Sequence, residues 1–176
     1  MRPGAREATS GMRLKIMLVL VALAAAPAPA AEQHEKGPVT GLDLPRYVSL
    51  KASRANVRRG PSLSHRVDWE FLRRGMPLQI IAEFGHWRRV RDMDDAIGWV
   101  HYSLLSGHRT AIVLPARTAL RDEPAPEARV NAWVEQSVIV DLEACKPDWC
   151  EVDADGYTGW IAKPDIWGVD KDEVFD

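Results

Sequence analysis

The pattern of the stretch Trp87-Arg-Arg-Val-Arg-Asp-Met-Asp-Asp-Ala-Ile-Gly-Trp99-Val occurs twice, and this repetition limits the fold more than any other feature of the chain. The second copy, Trp149-Cys-Glu-Val-Asp-Ala-Asp-Gly-Tyr-Thr-Gly-Trp160-Ile, keeps the order. A Trp opens a short alternating run, a polar turn follows, and Gly-Trp-apolar opens the next strand. The match extends outward: Val57-Arg-Arg-Gly-Pro61 answers to Leu120-Arg-Asp-Glu-Pro124, and residues 99–107 answer to 160–168. Pro61 and Trp87 are 26 residues apart and Pro124 and Trp149 are 25 apart, so both copies share one frame. A period of about sixty residues, built of short strands and turns, means two copies of one small β domain.

A different kind of segment precedes the repeats. Arg2, Arg6, Arg13 and Lys15 form a basic front, and residues 16–26 are an uncharged apolar run of 11. That is too short for a bilayer crossing, which takes roughly 20 residues. With Ala-Pro-Ala-Pro-Ala-Ala31 behind it, the pattern predicts a secretory signal peptide over residues 1–31, cut after Ala30 or Ala31, with Met12 as an alternative start. No Cys stands at the cleavage region, so no lipid anchor is expected, and no later stretch is long and apolar enough to span a membrane. The expected location is periplasmic or secreted. Residues 32–45 carry Gly, Pro and scattered charge without periodicity and read as a flexible leader. Residues 46–108 are the first repeat, 109–168 the second, and 169–176 an acidic tail expected to stay solvated.

Within the first repeat, Tyr47-Val-Ser-Leu50, Arg54-Ala-Asn-Val57, residues 67–72, the apolar residues 77–84, Trp87 to Arg91 and residues 96–101 read as short strands. Turn chemistry at Arg59-Gly-Pro-Ser62 and Gly85-His86 separates them. Closing such strands into a small barrel removes sheet edges. The order Asn56-Val-Arg-x-Gly-Pro-Ser62, Trp87-x-x-Val90, Gly98-Trp-Val100 with a closing Leu-Leu105 resembles the bacterial SH3-like domain family, over residues 46 to about 168. The resemblance implies an all-β protein of two tandem SH3-like barrels behind a cleaved signal peptide. The second copy departs from the pattern at Leu120-Arg-Asp-Glu-Pro, where no Gly precedes Pro, and a differently shaped turn is expected there.

Without residues 1–31 the chain holds 19 basic and 24 acidic side chains, unevenly spread. Residues 46–109 carry 12 basic and 6 acidic, and residues 110–168 carry 5 and 11. Such asymmetry is a signal of a partner. Either the two repeats attract each other within the chain, or the first faces an external anionic ligand. Nucleic acid is a poor fit, because the compartment is wrong.

Cys145 and Cys150 are the only cysteines and flank one hairpin. In an exported chain such a pair reads as a disulfide rather than a metal or thiol-catalytic site. Simple alternation from Leu142 and from Val152 puts the thiols on opposite faces, so the bridge needs a bulge. At the matching places the first repeat has Glu83 and Arg88. Cell-wall peptidases often carry SH3-like domains, which makes a Cys–His hydrolase worth testing. All five histidines (His34, His65, His86, His101, His108) precede both cysteines, and no stretch remains for a catalytic domain. Gly-x-Ser-x-Gly, His-Glu-x-x-His and phosphate-cradling Gly loops are missing from the sequence. Asp92, Asp94 and Asp95 sit where a hairpin turn ordinarily carries acids. The reading is a non-enzyme with no metal or other cofactor.

Trp99 and Trp160 follow Gly at strand starts and read as packing residues. If Val90 and Val152 point inward, alternation turns Trp87 and Trp149 outward. An outward Trp beside Arg88, Arg89 and Arg91, with Arg58 and Arg59 nearby, is a plausible platform for a carboxylate-bearing ligand. The opposing reading is that each Trp lies over a barrel end or against the sister domain. Charge favours Trp87 over Trp149, whose neighbours are Glu151 and Asp153. Two functions follow: a binding module for a cell-wall peptide or an envelope protein, or an assembly subunit docking on another envelope protein with no small ligand of its own. N-terminal sequencing of the native protein is expected to begin at Ala31 or Glu32. Retention of Met1 or Met12 would overturn the signal-peptide reading.

Overall fold

The computed structural model describes residues 35–176, which fall within one compact unit, Gln33–Asp176. The expected signal peptide lies outside the described residues. Strands β1 (Glu35–Lys36) and β2 (Asp43–Leu44) pair as a small hairpin. The first repeat then runs β3 (Arg46–Leu50), β4 (Ala55–Arg58), β5 (Val67–Phe71), β6 (Pro77–Phe84), β7 (Trp87–Arg91), β8 (Ile97–His101), a 3-10 turn at Tyr102–Leu104, and β9 (Leu105–Ser106). The second runs β10 (Thr110–Val113), β11 (Arg117–Arg121), β12 (Val130–Glu135), β13 (Ile139–Cys145), β14 (Trp149–Ala154), β15 (Tyr157–Ala162), a 3-10 turn at Lys163–Asp165, and β16 (Ile166–Trp167). The first sheet has the order β5-β4-β8-β7-β6-β3-β9 and the second β12-β11-β15-β14-β13-β10-β16. These are one order with every strand advanced by seven, so the two SH3-like β domains implied by the repeat are present.

Each sheet wraps its own core. Leu50, Val57, Leu78, Val90 and Val100 are fully enclosed in the first, and Val113, Leu120, Val140, Val152 and Ile161 in the second. Each such side chain contributes about 1.5–3 kcal/mol of apolar burial. The repeated Gly-Trp has a steric cause. A Cβ on Gly98 would collide with Val57 Cγ1, and one on Gly159 would lie 2.6 Å from the Arg121 carbonyl oxygen. Only glycine lets β8 pair with β4, and β15 with β11, at that separation. Bulges also recur in step, between Val57 and Arg58 as between Leu120 and Arg121, and between Ile80 and Ala82 as between Leu142 and Ala144.

The bulge between Leu142 and Ala144 resolves the difficulty with the cysteines. It brings Cys145 directly opposite Cys150, and the disulfide forms there, fully buried. In the first repeat Glu83 stands opposite Arg88, so an ion pair occupies the same place, with Arg88 Nε 3.6 Å from Glu83 Oε1.

Three expectations are corrected. Residues 35–45 are not flexible: the β1–β2 hairpin docks on Glu83, which accepts hydrogen bonds from the Val39 amide (3.0 Å), the Thr40 amide (2.9 Å) and the Thr40 hydroxyl (2.7 Å), and pairs with Arg46. Burial alone would raise this carboxyl, but the Thr40 hydroxyl, Arg46 and the two amides outweigh it and hold it at about 2. The acidic tail is not solvated throughout. Phe175 exchanges backbone hydrogen bonds with Cys145, Arg109 pairs with Glu173, and the Lys163 ammonium donates to the carbonyls of Lys171 and Glu173. The turn lacking Gly keeps its shape: Asp122 donates to the Arg129 carbonyl as Arg59 does to Arg66, and Ala125 to Glu123 as Ser62 does to Gly60. Gly60 has no open dihedral there, and a Cβ on it would meet only the ring of the exposed His65 side chain.

The repeats touch through hydrogen bonds to backbone carbonyls and a ring contact more than through paired opposite charges. Arg73 donates to the Ser137 carbonyl (2.5 Å) and the Thr110 hydroxyl to the Gly75 carbonyl (2.7 Å), while Tyr47 meets Trp167 edge-on at 5.3 Å. Among the described ion pairs only His108–Asp141 joins residues 46–108 to 109–168.

Glu83 gives the fold an acid-sensitive contribution. Its ordinary pKa of 4.5 falls to about 2 on folding, so the stabilisation is complete above pH 4.5 and is lost as pH falls through about 2. At 1.36 kcal/mol per unit this is on the order of 3 kcal/mol. Glu83→Gln is expected to lower the urea midpoint at pH 7 and to flatten the stability profile between pH 4.5 and 2. Equal slopes in both proteins would remove Glu83 from this role.

Candidate functional site

Each repeat carries a cleft on the outer face of its sheet, of about 270 Å³ in the first and 300 Å³ in the second. The two are built from matching positions. Trp87 and Trp149 lie at the same place in β7 and β14, opposite His101 and Ala162. Arg54 and Arg58 line the first cleft where Arg117 and Arg121 line the second. Asn56 with Glu70 opposite it is replaced by Ala119 with Trp133 opposite it. Leu63 gives way to Pro126, and Leu104 to Asp165. The repeated bulge explains the arginines: it turns Arg58 and Arg121 toward the following loop. Arg58 donates to the carbonyls of Leu63 (3.1 Å) and His65 (2.7 Å), and Arg121 to that of Ala128 (2.6 Å). Each thus fixes one wall.

The expected constellation around Trp87 does not assemble as an exposed platform. Trp87 does face away from the core, opposite to Val90, yet it is only 9% exposed, because the His101 ring packs edge-on at 5.5 Å and the cleft walls flank it. Trp149, facing Ala162 instead, is half-buried. Arg88 turns to the other side. It is buried against Glu83, donates to the Gly85 and Trp87 carbonyls and lies 5.8 Å from the Tyr102 ring. Arg91 bonds Gln79, and Arg59 pairs with Asp68, whose carboxyl Arg66 and Arg59 hold below its usual range. Arg89 is exposed. Of the residues proposed from sequence, Arg58 and Trp87 meet in the first cleft and Trp149 lies in the second. Asp92 accepts hydrogen bonds from the Asp94 and Ala96 amides, closing its own turn.

Trp133 was missed, although its signal was present: Val130, Ala132 and Val134 alternate inward, which turns Trp133 out. It is 56% exposed, and the Arg117 guanidinium lies 4.5 Å from its ring. Across the same cleft, Asp165 accepts the hydroxyl of Thr118.

Two small curled sheets, each with an aromatic-floored cleft and arginine walls, define a recognition module. The bacterial SH3 domain family matches residues 51–107 and 115–168, and the chain belongs to it. Bacterial SH3 domains are non-catalytic binding modules. Among solved structures, NlpC2 from Trichomonas vaginalis is similar at 13% identity, over 70% of this chain and 48% of that one, with a TM-score of 0.33. An NlpC/P60 family protein from Bacillus cereus is similar at 13% identity, over 69% and 55%, with a TM-score of 0.31. The chain spans about half the length of these structures. No curated protein matches it significantly.

The burial difference among the tryptophans is measurable. Trp87→Ala is expected to cost about 3 kcal/mol or more in urea unfolding, and Trp133→Ala to stay within about 1 kcal/mol. Equal costs would contradict the assignment of Trp87 to a packed floor and Trp133 to an open wall.

Proposed function

We propose that this chain is an exported, non-catalytic binding module of the cell envelope whose clefts take carboxylate-bearing peptide segments of the cell-wall stem-peptide kind. The observation that carries the reading is the recurrence, at matching positions, of a Trp floor and two Arg walls in both repeats. Holding the walls accounts for Arg58 and Arg121 but not for Arg54 and Arg117, and a Trp face and guanidinium edges together suit an apolar or planar group beside a carboxylate. Export is supported by the residue order of the first 31 positions and by the buried Cys145–Cys150 bridge. The proposed chemistry involves neither a cofactor nor nucleic acid.

A second reading, docking on an envelope protein, is favoured by one observation. End strand β5 exposes Val67 and lies between exposed Leu63 and Leu72, an edge that another chain could extend. Sedimentation of the exported protein with purified insoluble peptidoglycan separates the two. The first reading expects co-sedimentation that weakens as salt rises from 50 to 500 mM and that soluble stem peptide competes away. A folded protein left in the supernatant at both salts, while capturing one envelope protein, would replace the first reading with the second.

A further inference from the structure

We infer that the two clefts are unequal and that Arg117 and Trp133 make the second one the principal recognition site, for a short peptide ending in a free carboxylate. The inference rests on the binding role proposed above. The matching positions differ at one place that decides the chemistry. In the first repeat Arg54 faces Glu70, 3.9 Å away, so a carboxylate of the protein itself already sits beside the wall arginine. In the second, Trp133 stands where Glu70 stood, and the Arg117 guanidinium carbon lies 4.5 Å from the centre of its ring. A guanidinium held over a ring still carries N–H groups for a planar bidentate acceptor, which a carboxylate supplies. Trp149 offers a second ring at the floor, and Asp165, which also accepts the Thr118 hydroxyl, lines the same cleft as an acceptor for a peptide N–H or ammonium. Carboxylate, apolar face and amide donor together describe a peptide chain end.

Net charge points the other way, since the second repeat is acidic and Glu151 and Asp153 share a strand with Trp149. Screening decides between them. At physiological salt the Debye length is about 8 Å, so the summed charge of a domain is weakened over distances at which a direct guanidinium–carboxylate contact is not. In the first cleft, Glu70 would meet an incoming carboxylate at contact range, where no screening intervenes.

The test uses the full exported chain and two synthetic probes, the pentapeptide Ala-Gln-Lys-Ala-Ala with a free C-terminus and the same peptide amidated, with binding read by tryptophan fluorescence. Wild type is expected to prefer the free carboxylate by about 10-fold. Arg117→Ala and Trp133→Ala should each weaken binding by about 10-fold or more, and Arg117→Ala should also erase the preference over the amide. Arg117→Lys, which keeps the charge and loses the bidentate fork, should fall between and covers a failure of Arg117→Ala to fold. Arg54→Ala should weaken binding less than Arg117→Ala does, and Arg74→Ala, at an exposed position that lines neither cleft, should leave affinity within about 2-fold. Glu70→Trp should raise the stoichiometry from one to two. Loss of binding in Arg54→Ala with Arg117→Ala unaffected would overturn the inference and leave the proposed function standing. Binding to peptidoglycan without binding to either peptide would do the same. A wild-type protein that binds neither peptide nor peptidoglycan would remove both.

Discussion

Two close strand approaches, β8 against β4 at Gly98 and β15 against β11 at Gly159, are the constraint on which the rest depends. Where Val57 and Leu120 press against the missing side chains, no other residue fits. The same approach sets each bulge, at Arg58 and at Arg121. The bulge in turn aims a guanidinium at the loop carbonyls, and the held loop forms a cleft wall. A steric requirement at one glycine is thus converted, through backbone geometry, into a recessed tryptophan floor with arginine beside it. The clefts follow from how the sheet is curled rather than from an insertion added to it.

A second regularity lies at the far end of each central hairpin. Cross-strand neighbours at one register are bonded as Glu83–Arg88 in the first repeat and as Cys145–Cys150 in the second. Both pairs are buried, and each anchors a terminal segment: the β1–β2 hairpin on Glu83, the Phe175 backbone on Cys145. The chemistries have different requirements. A buried carboxylate is tolerated only when nearly every lone pair is engaged, and Thr40, Val39 and Arg46 do this. A disulfide needs no such partners, and across so short a loop its entropic gain stays below the roughly 3 kcal/mol of a 15-residue loop.

Local patterns in the sequence carried much of this. The duplicated Gly-Trp, the alternating Val and Leu positions and the cysteine pair each reflect contacts within one repeat or one hairpin. The need for a bulge beside Cys145 followed from alternation alone. The acidic tail and the segment before Arg46 did not yield, because their partners are distant: Thr40 meets Glu83 across 43 residues, and Arg109 meets Glu173 across 64. Trp87 shows the limit most clearly. Alternation gave its side of the sheet correctly, but its exposure is set by His101, a neighbour on another strand. Trp133 was legible by the same rule. The matching position in the first repeat is Glu70, so Trp133 lies outside the pattern the two repeats share.

The position of Phe175 also bears on the disulfide beneath it. Its backbone occupies both the N–H and the carbonyl of Cys145, and both cysteines are almost completely enclosed. A thiolate must reach a sulfur along its line of attack, and with both cysteines enclosed in the core that line opens only when the structure around the hairpin opens. Reduction of the bridge is therefore a clock: its rate counts how often the packing around this hairpin gives way.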